Sequence, residues 1–193
     1  MSVRPFPQRR ADVSLASVPP TPQNRSLQDE FRAGMRELAG AVAIVTCGQG
    51  AARAGFSATS VSSLSLEPPT LIVCVNRASS SWPKLRDARS FGVNVLSSAH
   101  AGLAHRFAGG AEAADRYREG QWTTLRTGAP LLADALASFD CALEEIIERH
   151  THAIVIGRVE AVRRSDAGGA LVYWRGDYDQ LGWSAEEISR AFG

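Results

Sequence analysis

Between Ser57 and Ser65 the chain places six hydroxyl side chains in nine residues: Ser57, Thr59, Ser60, Ser62, Ser63 and Ser65. Gly55 lies just before them and Pro68-Pro69 after. Small hydroxyl residues let a planar ligand approach the backbone closely, and each offers a donor or acceptor that is easily oriented. The same composition suits a solvent-facing strand or a serine-rich loop, and the stretch alone leaves both readings open. A second stretch, Asn76-Arg77-Ala78-Ser79-Ser80-Ser81-Trp82-Pro83, follows the most apolar run of the chain. It combines hydroxyls, backbone N–H groups and a guanidinium at the mouth of an expected helix, which is what a phosphate requires. Ser81 serves equally well as a plain helix cap. Further on, Arg106-Phe107 read alone is a surface cation beside a core aromatic.

Other chemistries lack their residues. His150 and His152 could share a strand face, but no carboxylate or cysteine stands at ligand spacing from them, so no metal site is expected. Gly48-Gln49-Gly50 with Gly55 has the wrong third spacing for a dinucleotide fingerprint and leads into a strand, so it reads as a hairpin turn. The chain contains no P-loop, no HExxH and no GxSxG. Cys47, Cys74 and Cys141 lie far apart in apolar segments and read as buried, reduced thiols of a cytoplasmic protein.

The elements that must position these residues are mostly strands. Runs rich in β-branched and aromatic residues predict strands over residues 41–46, 56–61, 70–76, 91–96, 137–147, 153–162 and 171–174. Short helices are expected over residues 82–88, 100–107 and 185–192. A further helix should open at Ser26, with Asp29 as its capping partner, and close at Gly40. Its Leu27, Phe31, Met35 and Leu38 share one face, which should lie on the body of the protein. Strands that do not alternate with long helices disfavour a doubly wound sheet and favour an antiparallel barrel.

The chain has 193 residues, 45% of them hydrophobic, which suits one domain with a substantial core. Five of the nine prolines fall in residues 1–25, where Arg4, Arg9, Arg10 and Arg25 face only Asp12. This segment is expected to be a disordered tail, and residues 26–193 the folded domain. Removing it leaves 17 of the 21 basic and 19 of the 20 acidic side chains, a slightly acidic body with no basic field for nucleic acid. No apolar run approaches the roughly 20 residues of a membrane span.

The segments from Gly55 to Pro83, Phe91 to Gly109, Gly128 to Cys141, Thr151 to Val162 and Ala170 to Trp183, in that order, closely resemble the short-chain flavin reductases. These are the NAD(P)H-dependent reductase components of two-component flavin monooxygenases. The resemblance implies a mainly β, antiparallel Greek-key split β-barrel with a few short helices, and a homodimer with FMN or FAD bound near the subunit interface. Carried over by position, Thr59, Ser60, Val61 and Ser62 would line the isoalloxazine edge. Asn76, Arg77, Ser79, Ser80 and Ser81 would hold the ribityl chain and phosphate, and Arg106, Phe107 and Tyr178 would lie beside the flavin. His152 stands where the family has a histidine associated with nicotinamide binding, but the Gly-Asp that usually precedes it is replaced by His150-Thr151.

The implied activity is hydride transfer from NADH or NADPH to FMN or FAD, with the reduced flavin passed to a separate flavin-dependent monooxygenase, by diffusion if not by contact. The cofactors carry this chemistry, and the protein supplies binding and orientation. The alternatives are a flavin- or haem-binding split-barrel protein without turnover, and an oxidase resembling those that act on pyridoxine phosphate.

Overall fold

The computed structural model describes residues 26–112, 115–165 and 168–182 together with Arg190. The tail expected over residues 1–25 lies outside these, as does the C-terminal helix apart from Arg190. In chain order the elements are α1 (Leu27–Met35), β1 (Gly40–Ala41), β2 (Ala43–Cys47), β3 (Ala54–Ala58), β4 (Val61–Leu66), β5 (Pro69–Asn76), α2 (Trp82–Arg86), β6 (Ser90–Val95) and α3 (Ala101–His105). They continue with β7 (Trp122–Thr123), β8 (Leu131–Leu132), β9 (Ala137–Arg149), β10 (His152–Arg164), β11 (Ala170–Trp174) and β12 (Asp177–Leu181).

Seven of these strands form one sheet in the order β3-β2-β6-β9-β10-β5-β4, antiparallel at every pairing. Its two outermost strands, β3 and β4, are consecutive in the chain and separated only by Thr59 and Ser60. With only these two residues between them, the Cα atoms of Ala58 and Val61 can lie at most about 11 Å apart, so the sheet must roll until its edges meet there. This is the antiparallel split barrel, with the split at Thr59-Ser60. The expectation of one strand over residues 56–61 is corrected accordingly: the chain turns where the edges come together.

Strand β2 is buried along its whole length, and its alternate side chains enter two different cores, as the two-residue period of a strand requires. Val45 joins Val73, Val93 and Val155 inside the roll, while Ile44 joins Leu96, Leu132 and Leu171 on the other side. In the inner core the ring of Phe91 lies directly against Gly157, where a side chain of any kind would collide with it.

Helix α1 forms with Ser26 as its cap, the Ser26 hydroxyl accepting from the Asp29 amide at 3.2 Å. It ends at Met35, earlier than expected, and it buries none of its residues. Leu27, Phe31, Met35 and Leu38 are 85, 67, 48 and 65% exposed, so the expectation that this face lies on the body is not met among the described residues. The end of the helix is tied down. The Arg36 guanidinium donates to the Arg175 carbonyl, and Glu37 pairs with Arg175 at 2.7 Å. No helix among the described residues is long and apolar enough to cross a membrane.

Candidate functional site

The split opens into a cavity of about 540 Å3, within the usual size range of a small-molecule site. The turn between β3 and β4 contributes Thr59 and Ser60. Across the split, the end of β5 contributes Asn76, and β10 places His152 directly opposite it in register. The chain then bends into the serine loop. The Asn76 side chain accepts from the Ala78 amide at 2.9 Å, and its carbonyl accepts from the Ser79 amide at 3.0 Å, an asparagine-nucleated turn. This brings Ser79 and Ser80 onto the cavity wall, with Phe107 and Arg116 behind them.

Seven of the residues singled out in the sequence therefore meet around one cavity: Thr59, Ser60, Asn76, Ser79, Ser80, Phe107 and His152. Six others are placed elsewhere. Ser81 is buried beneath the wall, and it makes no side-chain cap bond to α2. Its hydroxyl instead donates to the Gly55 carbonyl at 2.8 Å. Val61 and Ser62 lie on β4 outside the lining. Arg77 turns away from the cavity to pair with Glu148 at 2.6 Å and to donate to the His150 carbonyl at 3.0 Å. Arg106 pairs with Glu119 and does not line the cavity either. Tyr178 lines an adjoining cavity of about 420 Å3 that shares Ser57, Ala58, Thr59 and Ala108 with the first. Burial and the neighbouring Tyr173 push its phenol above the ordinary value.

The cation the structure brings to this cavity is Arg116, which the sequence did not single out. It stands in a single 3-10 turn between α3 and β7, with no strand or helix period around it, and nothing in its spacing distinguishes it among twenty arginines. It is only 9% exposed. One terminal nitrogen donates to the Gly55 carbonyl at 2.8 Å and the Ser81 hydroxyl at 3.2 Å; the other reaches the Ser80 hydroxyl at 3.4 Å. Among the described residues its Nε has no partner. Gly55 is held to glycine by its packing, because a Cβ there would lie 2.8 Å from both the Phe107 ring and the Val45 carbonyl oxygen.

These features fit a flavin: a cavity of suitable size, hydroxyls along one wall, and a buried polar group without a partner at one end. The rolled sheet with its ligand cavity at the split defines a flavin-binding split barrel. A family model described as a flavin reductase like domain matches residues 35–182, and the chain belongs to that family. It is 41% identical over 172 residues to the FMN reductase (NADH) RutF 2 of Rhizobium rhizogenes strain K84, covering 89% of this chain and 99% of that protein.

Among solved structures, it is similar to BorF, the flavin reductase component of a bacterial two-component tryptophan halogenase. That match has a TM-score of 0.74 and 33% identity and covers 80% of this chain and 98% of BorF. It is also similar to the Streptomyces globisporus NADH:FAD oxidoreductase SgcE6 in complex with NAD and FAD fragments. There the TM-score is 0.73 and the identity 28%, covering 80% of this chain and 93% of the other.

Proposed function

We propose that the protein is an NADH-dependent FMN reductase that supplies reduced flavin to a separate monooxygenase. The observation that carries this reading is the gathering of Thr59, Ser60, Asn76, Ser79, Ser80 and His152 around one cavity at the split, in a chain whose relatives include NADH-dependent FMN reductases. A bound flavin supplies the hydride acceptor. Thr59 and Ser60 border the ring edge, and Asn76, Ser79 and Ser80 hold the ribityl chain and phosphate. His152, at the rim opposite Asn76, positions the nicotinamide. None of these roles needs a catalytic carboxylate, and among the described residues no Asp or Glu lines the cavity.

The uncovered apolar face of α1 supports a homodimer in which a second copy buries Leu27, Phe31 and Met35. Free thiols at Cys47, Cys74 and Cys141 agree with a reducing, cytoplasmic setting.

The test is steady-state oxidation of NADH and NADPH with FMN, FAD and riboflavin as acceptors. Turnover that depends on added flavin and is fastest with NADH and FMN is expected. No oxidation above the flavin-free control overturns the reading.

A further inference from the structure

We propose that Arg116 binds the 5′-phosphate of the flavin, and that this contact decides which flavins the protein accepts: phosphorylated ones over riboflavin. The identity of the ligand rests on the reductase reading. The demand for an anion comes from the arrangement of the arginine itself.

A guanidinium is always charged and offers five N–H donors. Burying it is unfavourable unless the charge is paired. Arg77 and Arg106, the two arginines the sequence offers for this purpose, are each neutralised by a carboxylate, Glu148 and Glu119. Arg116 is more buried than either, yet among the described residues it forms no ion pair. Its three bonds all go to neutral oxygens, and Nε has none. Those bonds fix where the guanidinium sits and leave its charge uncompensated.

The surroundings point to what would compensate it. Arg116 shares the cavity wall with Ser79, Ser80 and the asparagine turn at Asn76, and among the described residues the lining contains no acidic side chain. A phosphate there would meet hydroxyls and a planar cationic fork together, the geometry in which N–H···O bonds to an anion are shortest and strongest. Riboflavin presents a hydroxyl at the same position and leaves the charge as it is in the free protein. A hydrogen bond to a charged group is worth about a 10- to 150-fold change in affinity, and that is the expected preference for FMN over riboflavin.

The experiment measures dissociation constants by quenching of flavin fluorescence, with FMN and riboflavin, on the full chain and on Arg116→Gln and Arg116→Lys. The wild type should prefer FMN by the factor given. Inorganic phosphate should weaken FMN binding and leave riboflavin unaffected. Arg116→Gln should lose most of the preference while riboflavin binding stays within about twofold, and Arg116→Lys, which keeps the charge without the fork, should fall between.

Equal loss of both flavins in Arg116→Gln, or no loss of either, overturns the assignment. If that variant does not fold, the wild-type phosphate competition and Arg116→Lys decide. Equal wild-type affinity for the two flavins with normal turnover overturns the role of Arg116 and leaves the reductase reading standing. FMN selectivity of the expected pattern without NADH oxidation does the reverse.

Discussion

The hydroxyl of Ser60 donates to the backbone carbonyl of Cys74 at 2.8 Å, joining the turn between β3 and β4 to β5. The bond continues the β4–β5 register one step past the Val61–Val73 pair, at the end of these strands where the cavity opens. It fixes the position of Thr59 and Ser60 relative to Asn76, two residues beyond Cys74.

Ser60→Ala should therefore affect binding more than stability. Losing one partly buried hydrogen bond lowers the unfolding free energy by about 1 kcal/mol, readable by urea denaturation. With Ser60 at the ring edge as proposed, flavin affinity should fall by about tenfold, because the site would lose both a hydroxyl and the tether that positions its neighbours. A stability loss with unchanged flavin affinity would remove this turn from the site.

His152 lies at the cavity rim, exposed, with Nδ1 2.9 Å from the Thr151 hydroxyl. His152→Ala should raise the KM for NADH by about tenfold, the scale of one lost polar contact, and leave the FMN dissociation constant little changed. Parallel loss of both would assign the residue to the fold of the 149–152 turn instead.

How much of this was legible in the sequence depended on whether the deciding contact was local. The run from residue 70 to 76 was legible as a strand because its own residues carry the pattern, and it was found as Pro69–Asn76. The break at Thr59-Ser60 was not. Hydroxyl residues suit a strand and a turn equally, and the choice is imposed by a sheet edge brought round by five other strands. Arg77 and Arg106 were legible as cations, but Glu148 and Glu119, which take up their charge, are set by the fold. The apolar stripe of α1 was legible from its own spacing, but whether the described body covers it is decided by the fold, and it does not.

Burial pushes the Cys47 thiol up to about 11, with Lys84 opposing weakly, and the Cys141 thiol up to about 12, with Asp140 and Glu160 adding to the effect. In the unfolded chain thiols ionise near about 8.5. Above that pH the unfolded state loses protons that the native state keeps, so stability is full below about pH 8.5 and falls as the pH rises toward 11. Each thiol contributes a slope of up to about 1.4 kcal/mol per pH unit. Urea unfolding at pH 8 and pH 10 should show the decline, and it should be shallower in Cys141→Ala. A flat profile from pH 8 to pH 10 would contradict the burial of these two groups.

Asn94 is fully buried and joins β2, β6, β8 and β9 through one side chain. Its amide donates to the Ile44 carbonyl at 3.0 Å, and its oxygen accepts from the Leu132 amide at 2.8 Å and the Ser138 hydroxyl at 2.9 Å. Asn94→Ala strands several buried polar groups at once and should destabilise the protein by about 3 kcal/mol, more than the loss of a typical hydrogen bond, because each partner keeps its desolvation penalty. Asn94→Asp separates the two halves of this network. Leu132 and Ser138 can still donate to a carboxylate, but the Ile44 carbonyl then faces another acceptor unless the aspartate is protonated. Burial should raise the pKa of that aspartate in the folded state, so its deficit relative to wild type should be small near pH 4 and grow as the pH rises to 8. Urea denaturation at the two pH values measures the difference, and a deficit independent of pH would mean that the Ile44 carbonyl finds another donor.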